Sequence, residues 1–167
     1  MIDDQAQFAE VVRATMGKDP DFEAIGHATN LADGLDLIET FEPDLVAVNG
    51  HIGPGDGVAA IAQISERHPN VRVVVLAEFA SAQMMQRAVA ANARAFHPKD
   101  AGPARLVWLL LNTGQVGFTM HPEVLHRLIT GGPLSPEQEG SASPTVTSRG
   151  SLGDGVLGVS RQVRWGE

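Results

Sequence analysis

VRVVVL, residues 71–76, is the most restrictive stretch of this chain: six residues, nearly all apolar, four of them β-branched. A strand that is apolar on both faces has to be covered on both faces, which points to a parallel sheet with crossover helices. The surrounding pattern agrees. Leu45–Val48 reads as a second short buried strand, Phe22–Ala28 as a third and Ala93–Phe96 as a weaker fourth. Between them lie stretches with helical spacing. Phe8, Val11, Val12 and Met16 mark a helix from Gln5 to Met16, and Leu31, Leu35, Ile38 and Phe41 mark one that stops at Pro43. Val58, Ile61 and Ile64 predict a helix ending before Pro69, and Ser81 is placed to cap one running through Ala91. Pro103–Asn112 follows with proline near its start, where a missing N–H costs nothing. Strands alternating with such helices form right-handed βαβ units. The weak point is the beginning, where only Met1 and Ile2 stand in for a first strand.

Composition removes several classes of function. There is no Cys, hence no disulfide, thiolate metal site or Cys nucleophile. The net charge of −8 opposes a broad phosphate-binding surface. The longest apolar run, Leu106–Leu111 with Trp108 inside it, is far short of the roughly 20 residues of a membrane span. No basic and apolar leader opens the chain, so a cytoplasmic protein is the default expectation.

The ends of parallel strands are where sites form. Here they bring together Asp3 and Asp4, Asn49, Ala77 and Lys99. Adjacent carboxylates suit a hard cation such as Mg²⁺, and a lysine opposite them supplies a point charge for an anionic oxygen. With a carboxylate at position 49 the set would accept a phosphoryl group. The scattered histidines, including His51 and His97 near this edge, read as ordinary loop residues. Gly53–Gly57 lacks full phosphate-loop spacing.

These residues carry a resemblance to the receiver domains of two-component response regulators of the NarL/LuxR type. IDDQAQFAEVVRATM (2–16) resembles the family's acidic pair and first helix, and PDLVAVNGHIGPGDG (43–57) its phosphoacceptor segment. RVVVLAEF (72–79), ARAFHPKDAGPARLVWLL (93–110) and FTMHPEVLHRLI (118–129) resemble its fourth strand, its lysine segment and its linker helix. The resemblance implies a doubly wound, five-stranded parallel α/β sheet of order 2-1-3-4-5, here with a truncated first strand. Residues 1–114 would form the receiver, 115–132 a linker with one helix, and 133–167 a low-complexity, disordered tail.

The departures from the family pattern decide the functional expectation. Asn49 stands at the phosphoacceptor position and has no nucleophilic carboxylate; Ala77 stands at the hydroxyl switch position, followed by Glu78; Phe96 stands at the aromatic switch position. Asp3, Asp4 and Lys99 match the family's pocket. Two readings of that trio stand: an ion pair of Lys99 with the acidic residues, or a weak Mg²⁺ site on Asp3 and Asp4. Asn49-Gly50 is also a deamidation-prone pair whose conversion would create a carboxylate.

The expectation is a non-enzymatic signalling protein, an atypical receiver acting in transcriptional regulation without phosphorylation, through a protein partner or as a homodimer. The dimer face would include Met84, Met85, Arg87, Arg105 and Trp108. The alternative is a two-component DNA-binding regulator with a truncated output domain. PLSPEQE (133–139) resembles the opening of a helix-turn-helix module, after which the similarity stops, so DNA binding by this chain is not expected.

Overall fold

The computed structural model describes residues 1–18, 22–53, 55–114 and 116–131. The expected tail, 133–167, lies outside the described residues.

Three named strands, β1 (Leu45–Asn49), β4 (Arg72–Ala77) and β5 (Ala95–Pro98), form a parallel sheet in the order β1-β4-β5. Leu45 pairs with Arg72 and Asn49 with Leu76, while Val74 pairs with Ala95. Beyond β1 the sheet continues as single bridges: Ile2 pairs in parallel with both Val48 and Ala28. The receiver order 2-1-3-4-5 is therefore present, although its first two strands are reduced to bridge residues. Phe22–Ala28 is no continuous strand. Met1 and Ile2 have too few residues to present a full ladder to it, and only Gly26 and Ala28 bond to them.

The helices are α1 (Ala6–Met16), α2 (Leu31–Phe41), α3 (Gly57–Arg67), α4 (Ala82–Ala90), α5 (Pro103–Asn112) and α6 (Pro122–Thr130). Caps fix where several begin. Asn30, Asp56 and Ser81 accept backbone N–H bonds from the first turns of α2, α3 and α4, satisfying donors that have no partner within the helix. A short 3₁₀ turn, Lys99–Ala101, joins β5 to α5.

Both faces of the sheet are covered, as β4 requires with all six residues buried. On one face Val46, Val48, Val73, Val75 and Phe96 pack with Ile61 and Ile64 of α3 and Met84 and Ala88 of α4. On the other, Ala47, Val74, Leu76 and Ala95 meet Val12 and Met16 of α1 and Leu106, Leu109 and Leu110 of α5.

Two features depart from the sequence reading. The glycine-rich stretch after β1 carries a small antiparallel hairpin, β2 (His51–Ile52) with β3 (Gly55–Asp56), where a loop was expected. The chain after α5 also returns to the sheet. Thr119 bridges Ala95 in parallel, and α6 then packs beside α5. Arg105, one of the residues assigned to the dimer face, is buried against Glu123 of α6.

Candidate functional site

The site forms where the carboxyl ends of the strands meet. The backbone of Asp3 is fixed by its N–H donating to Ala28 O at 2.9 Å, and that of Asn49 by its N–H donating to Ile2 O at 2.8 Å. Gly57 lets the first turn of α3 lie directly on this strand end: a Cβ there would stand 2.0 Å from the Asn49 carbonyl oxygen.

Asp3 is fully buried. Its Oδ1 accepts from Lys99 Nζ at 2.9 Å, from the Gln5 N–H at 3.0 Å and from Asn49 Nδ2 at 3.3 Å. Lys99 Nζ also lies 2.8 Å from Asp3 Oδ2 and 5.1 Å from the centre of the Phe8 ring. Lys99 is nearly as buried as its partner, so both charges are removed from water and each depends on the other.

Asp4 is exposed at the mouth. Its Oδ1 accepts from Asn49 Nδ2 at 3.2 Å and its Oδ2 from the Gly53 N–H at 3.0 Å. The Gly53 N–H holds this carboxyl below the usual carboxylate range, with the Asn49 amide and the Lys99 charge acting in the same direction against partial desolvation.

Asn49 thus donates to both carboxylates, while its Oδ1 accepts from the His51 N–H at 3.4 Å. The reverse amide rotamer would aim a carbonyl oxygen at two carboxylates, so the chemistry selects this orientation. Ala77 is buried and carries no polar atom to the site. Glu78 lies outward, where its carboxylate accepts from Gln5 Nε2 at 3.2 Å. Phe96 is completely buried in the α3–α4 face of the core.

The structure gathers Asp3, Asp4, Asn49 and Lys99 into one bonded set, with Ala77 at the adjoining strand end and Phe96 turned inward. Sequence reasoning missed Gln5, Phe8, the Gly53 N–H and His27, whose Nε2 lies 2.6 Å from the Asp3 carbonyl oxygen. Among the described residues no group of three or more His, Asp or Glu side chains is arranged to hold a metal ion.

Residues 1–110 match the response regulator receiver domain. The chain belongs to that family. Among curated proteins this receiver is 26% identical over 129 residues to the transcriptional regulatory protein DegU of Brevibacillus brevis, covering 77% of this chain and 55% of DegU. It is 27% identical over 133 residues to a protein-glutamate methylesterase/protein-glutamine glutaminase of Anaeromyxobacter dehalogenans, covering 74% of this chain and 39% of that protein. The receiver therefore spans about half, or less, of the curated relatives it matches. Among solved structures, a LuxR-family two-component response regulator from Aurantimonas superposes with a TM-score of 0.69 at 19% identity, over 77% of this chain and 91% of that one. That likeness speaks for the fold. The chain is a receiver domain of two-component signalling with LuxR-type structural neighbours. No helix among the described residues is long and apolar enough to cross a membrane.

Proposed function

We propose that this receiver signals through protein contact without a phosphoryl group. The observation that carries the reading is the amide of Asn49, which donates to Asp3 and Asp4 together. A phosphoaccepting pocket needs a carboxylate nucleophile and open carboxylate oxygens for a cation. Here the nucleophile is absent, and three of the four carboxylate oxygens already accept from Asn49, Lys99, Gln5 and Gly53, while Asp3 Oδ2 is buried with the Lys99 ammonium 2.8 Å away. The site does not suit Mg²⁺: the Lys99 ammonium already neutralises Asp3, and two Asn49 amide hydrogens point at the carboxylate oxygens where a cation would sit. Ala77 brings no hydroxyl for an incoming anion.

The reading therefore favours a constitutive interaction module, non-enzymatic and partnered by a protein or by a second copy. A role as part of a longer DNA-binding regulator is the second reading, favoured by the DegU and LuxR-type likenesses. Intact-mass analysis after incubation with acetyl phosphate and Mg²⁺ tests the first. The unmodified chain is expected to gain no phosphoryl mass, and an adduct on it would overturn the proposal. An Asn49→Asp variant run in parallel shows whether the rest of the pocket still works.

A further inference from the structure

The segment after α5 is held to the receiver by several separate means. Thr119 adds to the edge of β5, its N–H donating to Arg94 O at 2.8 Å. Phe118 and Met120, on either side of it, pack against the core cluster that contains Phe96 and Met84. On α6, Glu123 accepts from Arg105 Nη2 at 2.6 Å, and Arg127 makes a two-pronged contact with Asp100 at 2.7 and 2.9 Å. The His121 ring stands edge-on to Trp108, with centroids 4.8 Å apart. Val124 is fully buried beneath the helix.

His97 lies on β5 two residues past Ala95, which Thr119 bridges, and is completely buried, with neither ring nitrogen making a good hydrogen bond. An unpaired polar ring in such a place is costly. The charged and titratable groups that act on it are Asp100 of the 3₁₀ turn, Arg105 of α5 and His121 of the returning segment. The Gly102 backbone gives partial compensation.

We propose that residues 118–131 form a releasable strap over the β5 edge, and that its release opens His97 to solvent and to a proton. The fastening is two partly buried ion pairs, one edge-strand bridge and the packing of Phe118, Met120 and Val124; of the α6 residues Val124 alone is buried, so this segment opens more easily than the fully buried β4. The hinge is in place: Gly114 and Gly117 lie between α5 and Thr119, Gly117 in the left-handed region at φ 86°. Burial depresses the His97 imidazole to about 3 while the strap is closed, with His121 and Arg105 reinforcing it and Gly102 and Asp100 opposing it. Exposed, the ring returns toward its ordinary 6.5. Closed strap and neutral His97 are thus linked, and acid favours release.

This inference goes beyond the phosphoryl-free reading and does not depend on it, because mass adducts and amide exchange are read separately. Hydrogen exchange on the full chain tests it, following the Thr119 and α6 amides against core amides of β4. After correction for the intrinsic pH dependence of exchange, strap opening is expected to rise ~10-fold from pH 7.5 to pH 5.5, while β4 protection changes less. In His97→Leu that pH dependence should vanish. In Arg127→Ala the strap should open more at both pH values, with its pH dependence retained. Thr119 exchanging only together with β4, or strap opening in the unmodified chain that ignores pH, would overturn the proposal.

Discussion

The amide nitrogen of Asn49 lies 3.3 Å from Asp3 Oδ1, on the side of Asp3 that also receives Lys99. With the second Asn49 bond to Asp4, one neutral side chain joins two carboxylates that would otherwise repel across the strand ends. Asn49 therefore brings a hydrogen-bond donor, and no nucleophilic carboxylate, to this strand end.

Placing a carboxylate at position 49 should expose what the amide contributes. In Asn49→Asp, a third negative group faces Asp3 and Asp4 where an amide had donated. Without divalent cations the variant is expected to be less stable by about 1–3 kcal/mol, read as a lower urea midpoint at unchanged slope. Added Mg²⁺ should recover part of the loss in the variant and leave the unmodified chain's midpoint in place.

Breaking the buried pair should cost more. Lys99→Met leaves Asp3 charged, buried and without its cation, a change typically worth about 3–5 kcal/mol. The double variant Asp3→Asn with Lys99→Met removes both charges and should recover much of that loss. If the double variant is as unstable as the sum of the singles, the pair is not the unit described here.

Gly57 should tolerate no side chain. A Cβ would meet the Asn49 carbonyl oxygen at 2.0 Å, and backbone cannot move aside as a flexible side-chain tip can. Gly57→Ala is expected to destabilise by about 1–3 kcal/mol or more. Gly53→Ala meets no atom within 4 Å but sits at φ 54°, so its smaller loss is one of backbone strain alone.

Stability should fall on acidification because of His97. The unfolded ring binds a proton below about 6.5, whereas the folded one stays neutral down to about 3. The stabilisation is complete above 6.5 and is lost as pH falls toward 3. Its upper bound is about 5 kcal/mol for a shift of this size, from ~1.4 kcal/mol per unit. Denaturation midpoints measured from pH 7.5 to 4 should show a shallower acid slope in His97→Leu than in the unmodified chain.

Asn49-Gly50 should resist deamidation despite its sequence. The reaction needs the Gly50 nitrogen to attack the Asn49 side chain, yet that N–H donates to Leu76 O at 2.7 Å and the amide itself is held by two carboxylates. Peptide mapping of folded, aged protein is expected to show no conversion at Asn49, and unfolded protein should convert readily.

Much of this was legible in the residues. Pro43 and Pro69 marked helix ends, and the unbroken apolar run 71–76 demanded cover on both faces, which it has. The acidic pair, Asn49 and Lys99 could be placed at one edge because parallel strands end together. The first two strands were harder, since isolated bridge residues, Ile2 in the first and Ile25 and Ala28 in the second, leave no periodicity to read. The hairpin at 51–56 was hidden because its strands are two residues long. Gln5 and Gly53 enter the site through backbone N–H groups, which leave no pattern in residue type. The return of Thr119 to the β5 edge rests on backbone bonds, and only Arg105 with Glu123 and Asp100 with Arg127 hinted at it through opposite charge.

The most direct test of the account is a calorimetric Mg²⁺ titration of the unmodified chain beside Asn49→Asp at neutral pH. The Asn49 amide and Lys99 already occupy the carboxylates' side of the site, so the unmodified chain is expected to give no saturable binding at millimolar Mg²⁺, while the variant binds. Saturable binding of equal strength to both proteins would contradict the claim that Asn49 stands in for the cation.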